Sequence, residues 1–145
     1  MNRKQVLAWA AGAAIAVSLL APRAAISEGA FAVGSTGNVA KDGIAYGGAY
    51  NHRTREAAIA GAVEACRKFS GAPRAVKLCE VVATFKRECY ASANDPKGGT
   101  PGTGWAVAPS KATAEARALA ACRATAGAGR RDFCKVDQGN CDERE

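Results

Sequence analysis

The tripeptide Ala65-Cys66-Arg67 recurs 56 residues later as Ala121-Cys122-Arg123, and its surroundings recur with it. Thr54 falls on Ser110, Arg55 on Lys111, Ala58 on Ala114, Ala62 on Ala118 and Val63 on Leu119, with Gly48 on Gly104 upstream. With one deletion Cys79 meets Cys134, and with a shorter tail Cys89 meets Cys141. A chain that repeats itself in this way is held to two similar units, each burying what the other leaves open. The expected fold class is α+β: a small disulfide-stapled domain of two pseudo-symmetric β-α-β half-repeats with mostly antiparallel sheet. The halves are placed at about residues 28–93 and 104–141, with the Gly- and Pro-dense stretch 94–103 (NDPKGGTPGT) as the linker between them.

Each half has its own local signals. Thr54 and Ser110 are hydroxyl N-caps, able to accept from the first free amides of the helix that follows. The helices are expected to end near Phe69 and Ala126. Ile59, Ala62, Val63 and Cys66 recur at helical spacing and predict the buried face of the first helix. Ala118, Leu119 and Cys122 repeat that face in the second, where Glu115 stands in place of Ile59. Residues 76–85 are rich in β-formers, with Cys79, Val81, Ala83 and Phe85 expected on one side. Gly29–Ser35, Ile44–Tyr50 and Gly104–Val107 are further strand candidates.

Six cysteines allow fifteen pairings, and sequence alone does not choose among them. The repeat narrows the field. Cys66–Cys79 and Cys122–Cys134 would tie each helix end to its next strand and treat both halves alike. Cys89–Cys141 is then left as the link from one half to the other. In the chain-entropy account the two short loops contribute about 3 kcal/mol each and the long one about 4 kcal/mol. Zinc is the competing use of cysteine, but structural zinc sites place paired ligands two to four residues apart. Here the intervening stretches are 12, 9, 32, 11 and 6 residues, and His52 is the one histidine. Catalytic thiols are disfavoured by the lack of a Cys-x-x-Cys and by the compartment argued next.

Residues 1–27 carry the layout of a Sec-type signal peptide. Arg3 and Lys4 precede an uncharged, mostly apolar run from Val6 to Ala21, then Pro22 and small residues. That run is shorter than the roughly 20 residues that span a bilayer, which argues against a transmembrane anchor after cleavage. Ala25-Ile26-Ser27 offers small residues at both cleavage-pocket positions, so cleavage is expected after Ser27, with Ala24 as the alternative. The expected location is therefore secreted or periplasmic, and residues 28–145 form a single exported domain. Three of the 20 basic residues lie in the leader, which lowers the formal charge from +7 to +4 for the remainder. Few large apolar residues are left and alanine is abundant. Alanine contributes little hydrophobic free energy on burial, so covalent staples are a natural complement to such a core.

Chemistry-bearing patterns are scarce. His52 precedes the first helix cap, but no G-x-S-x-G or similar motif supplies a nucleophile, so no catalytic residue is assigned. No carboxylate pair stands out for glycoside hydrolysis. Gly98–Gly104 lacks the Lys-Ser/Thr of a phosphate-binding loop, and no cofactor or metal ligand is identified. The basic residues fall in dispersed pairs such as Arg53/Arg55, Lys86/Arg87 and Arg130/Arg131 rather than in a stripe, which argues against specific nucleic-acid binding. His52, Arg53 and Trp105 are the candidates for surface binding.

The run Cys79-Glu80-Val81-Val82, then Phe85, then Cys89-Tyr90-Ala91, resembles the central signature of the bacterial exported family called domain of unknown function 4189. Gly29-Ala30-Phe31-Ala32, the stretch from Tyr50-Asn51 through Thr54, Glu56 and Ala57 to Cys66, and Gly104-Trp105-Ala106 with the helix ending at Cys122 extend it from Gly29 to Cys141. The resemblance implies a secreted or periplasmic bacterial protein with a small, internally symmetric α+β domain. It implies no established activity and no site residues. The function expected is a non-enzymatic binding or interaction module whose partner is an unidentified protein or envelope component. The alternatives are a secreted effector acting on a host or competitor cell and a small cell-envelope hydrolase.

Overall fold

A computed structural model describes residues 27–142; the leader expected over residues 1–27 lies outside them except for Ser27. Strands β1 (Glu28–Ser35) and β2 (Ile44–His52) form a hairpin around the short helix α1 (Val39–Asp42). Helix α2 (Arg55–Arg67) leads through a 3₁₀ turn at Ala75–Leu78 into β3 (Glu80–Phe85). The order then repeats: β4 (Cys89–Asn94), β5 (Thr103–Ala108), α3 (Lys111–Thr125), a 3₁₀ turn at Arg131–Phe133 and β6 (Lys135–Cys141). Two antiparallel three-stranded sheets result, β2-β1-β3 and β5-β4-β6, each with its first strand in the middle. The fold is thus α+β with two equivalent halves, and each half is ββαβ, one strand longer than the expected β-α-β.

The division between halves also falls elsewhere than expected. β4 pairs with β5 and β6, so it belongs to the second half. The boundary is the short turn Lys86–Glu88, and residues 94–103 connect two strands of one sheet instead of joining two halves. Gly and Pro density reports a turn, and a hairpin loop meets that need as well as a linker does.

Helix packing starts from the caps. The Thr54 hydroxyl accepts from Ala57 N–H and the Ser110 hydroxyl from Thr113 N–H, both at 3.2 Å. Each helix then buries a stripe of small residues completely: Ala58, Ala62 and Cys66 in α2, and Ala114, Ala118 and Cys122 in α3. The bulkier Ile59, Val63 and Leu119, expected at the centre, flank these stripes half-buried. The reason is backbone proximity. A Cβ on Gly47 would sit 2.1 Å from Cys66 N and 2.2 Å from Ala62 O, and one on Gly104 would sit 2.4 Å from Cys122 N. Strand and helix main chains touch there, and only alanine-sized side chains fit beside the contact. Gly47 is therefore the equivalent of Gly104. The alignment of Gly48 with Gly104 is off by one because β2 carries an extra residue where the β1–β2 register shifts between Glu28 and Ala30.

The opposite faces of the two sheets meet each other. Phe31, Tyr46, Phe85 and Tyr90 are buried there, and Trp105 covers Phe31 from the edge with ring centres 5.7 Å apart. The Phe31 and Tyr90 rings lie 4.9 Å apart, and the Tyr46 hydroxyl hydrogen-bonds Thr103 Oγ1 across the interface. The result is four layers: helix, sheet, sheet, helix. Matching β-bulges, between Phe31/Ala32 opposite β3 and between Ser92/Ala93 opposite β6, turn the outer strands over part-way. Hence Cys79 and Val81 face α2 while Phe85 faces the other sheet, although strict alternation placed all of them on one side.

Three disulfides complete the frame: Cys66–Cys79, Cys122–Cys134 and Cys89–Cys141. The first two join helix to following strand in each half. The third joins directly opposed residues of β4 and β6, with Cα atoms 3.9 Å apart. Both strands belong to the second half, so Cys89–Cys141 does not link one half to the other. In the first half the corresponding pairing ends at Gly29 opposite Phe85, and the residues next to these, Glu28 and Lys86, form an ion pair at 2.5 Å.

Candidate functional site: a cleft between the halves

A cleft of about 650 Å³ lies where three connections meet. The β1–β2 connection (Val39–Ile44) and the segment after α2 (Phe69–Arg74) supply the walls from the first half. The β4–β5 loop (Asn94–Thr100 and Gly102) supplies the wall from the second. Its basic groups are Lys41, Arg74 and Lys97, its apolar groups include Val39, Ile44, Phe69 and Ala72, and its carboxylates are Asp42 and Asp95.

Both carboxylates are engaged. Asp42 accepts from Thr36 Oγ1 at 2.7 Å and from Arg74 at 3.2 Å. Asp95 is buried and takes a two-pronged contact from Arg130, Nε to Oδ2 at 2.8 Å and Nη2 to Oδ1 at 2.6 Å, while Lys97 N–H donates to Oδ1. The Arg130 guanidinium lies 4.0 Å above the Phe133 ring. The hydrogen bonds from Arg130 hold the Asp95 carboxyl down to about 2, against the opposing effect of its burial. This pair fixes the root of the β4–β5 loop, whose far end closes with Asp95 N–H donating to Gly102 O. Lys41 and Lys97 take part in no ion pair among the described residues. The cleft is therefore a basic, half-apolar recess with its acids already neutralised.

The residues singled out for surface binding do not meet there. His52 ends β2 and Arg53 follows it, just before the helix cap Thr54; His52 is half-buried beside Gly61 and Arg53 is exposed. Trp105 is 36 % exposed, shared between the inter-sheet core and solvent. None of the three lines the cleft. The cleft is not legible in the sequence because its residues come from segments tens of residues apart, one of which reads as a linker. The Asp-Pro-Lys-Gly-Gly run of that loop was the available signal.

At the end of the molecule opposite the cleft, Asp142 is 3 % exposed and accepts from Ser27 Oγ at 2.5 Å, Asn51 N–H at 2.8 Å and Arg87 N–H at 3.2 Å. It gathers the start of β1, the end of β2 and the turn between halves. Among the described residues no group of three or more His, Cys, Asp or Glu side chains is placed to hold a metal ion. No described helix is long and apolar enough to cross a membrane.

Fold and cleft together define a disulfide-stapled α+β domain made of two ββαβ halves with a recess at their junction. The chain belongs to the family described as Domain of unknown function (DUF4189), whose model matches residues 29–141. No curated protein and no solved structure matches the chain.

Proposed function

We propose that this protein is an exported, non-enzymatic binding module that receives its partner in the cleft between its halves. The observation that carries the reading is the cleft itself. Its volume of about 650 Å³ falls in the range of ligand sites, which run from about 300 to about 1,000 Å³. Its mixed lining suits recognition: apolar floor, basic rim, and an open glycine-bearing loop. Catalysis draws less support. The hydroxyls on its walls, Ser70 and Thr100, have no histidine beside them, and His52 lies at the distant end of β2. Export is supported by the layout of residues 1–27 and by the pairing of all six cysteines, which suits an oxidising compartment.

The test compares affinity capture from envelope and extracellular fractions by the oxidised protein and by Ser70→Trp, which fills the cleft from an exposed wall. Partners retained by the wild type and lost by Ser70→Trp are expected. Identical capture by both proteins would remove the cleft from the binding role.

A further inference from the structure

Resting on the reading of the cleft as a binding site, we propose that its ligand is an extended peptide segment bearing acidic side chains. Charge comes first. The cleft's own acids, Asp42 and Asp95, are held by Arg74 and Arg130, so an incoming carboxylate meets no free anion. Lys41 and Lys97, both exposed and in no ion pair among the described residues, stand on different walls. A ligand carrying more than one negative charge can answer both, and a peptide with spaced Asp or Glu supplies such charges on a chain that reaches from wall to wall.

The loop adds main-chain recognition. Gly98 and Gly99 have open space where a side chain would be, and their amides make no hydrogen bond among the described residues. An extended peptide lying along this loop would find free backbone donors, the usual source of affinity for segments recognised in extended form. Half-buried Val39 and Ile44 offer apolar contact to intervening side chains. An anionic glycan fits less well. Sugar rings pack on aromatic faces, and the one aromatic that lines the cleft among the described residues, Phe69, leans into the helix–sheet core of the first half.

The experiment is selection of a displayed random heptapeptide library on the oxidised exported chain, on Lys41→Glu/Lys97→Glu, and on Ser70→Trp. Both lysines are exposed, and circular dichroism with melting of each variant confirms folding. Wild type should enrich peptides rich in Asp and Glu, and the double variant should not. For one enriched acidic peptide, synthesised and labelled, the double variant should weaken binding about tenfold, the scale of two exposed ion pairs. Salt should weaken it further, as screening of exposed charges requires. Neutral peptides enriched by wild type and lost with Ser70→Trp would overturn the acidic preference while leaving a binding cleft. No enrichment over Ser70→Trp would overturn the peptide proposal. In that case, capture of envelope components that Ser70→Trp abolishes would still uphold the binding reading, and an anionic oligosaccharide is the arm to test next.

Discussion

Asn51 and Arg87 adopt left-handed backbone, with φ of 59° and 55°, at a cost of roughly 1–2 kcal/mol for a residue with a side chain. Both send their N–H groups to one carboxylate, that of Asp142. A buried charge is tolerated when donors surround it, and here the donors are amides that the left-handed turns aim inward. Asp95 is the counterpart at the cleft end, answered by Arg130 together with one amide, that of Lys97. Its depressed pKa gives a stability term with a definite sign. The carboxylate favours the folded state at pH values above its ordinary value near 3.8, and that contribution fades as pH falls toward about 2. Asp95→Asn should therefore melt below wild type at pH 6, with the gap closing as the pH approaches 2. Parallel melting curves that keep a constant gap down to pH 2 would show that charge is not what the pair contributes. Neither carboxylate was legible in sequence. An aspartate after a strand reads as solvated, and only long-range approach of Arg130 or of three separate backbone segments makes it structural.

The elements show why periodicity found the helices but misjudged their faces. A hydrophobicity argument centres a helix on its bulkiest residues, Ile59 and Val63. The packing centres it on alanine, because Gly47 in β2 and Gly104 in β5 let main chains meet. Gly47→Ala places a methyl group against Cys66 N and Ala62 O and should lower stability by about 1–3 kcal/mol or more, the scale of overpacking in a closed core. Gly98→Ala, which meets nothing within 4 Å, should leave the melting temperature within about a degree or raise it slightly through the unfolded state. Equal losses for the two substitutions would refute the close-approach account. The caps Thr54 and Ser110 were legible since capping is local. The bulges opposite Phe31/Ala32 and Ser92/Ala93 were not, because a bulge is a relation between two strands.

At the scale of the whole molecule, the two halves solve one problem twice with different chemistry. Where β4 and β6 are joined by Cys89–Cys141, the first half has an ion pair between Glu28 of β1 and Lys86 just after β3. Half-exposed ion pairs contribute little in water, whereas closing a 52-residue loop is worth about 4 kcal/mol in the chain-entropy account. Replacing both Cys89 and Cys141 by alanine should therefore lower unfolding free energy by several kcal/mol, measured by denaturant titration. Glu28→Gln should cost less than about 1 kcal/mol. A larger loss for Glu28→Gln than for the cysteine pair would reverse this ranking.

The repeat, the capped helices, the α+β class and the family are properties of the sequence by itself, since each rests on local chemistry or on self-similarity. The tertiary structure alone decided that β4 belongs to the second half, that Cys89–Cys141 stays within it, and that three distant loops enclose a basic cleft. Those facts depend on which strand edges and faces meet, and a strand's residues specify that it needs a partner far more strongly than which partner it takes.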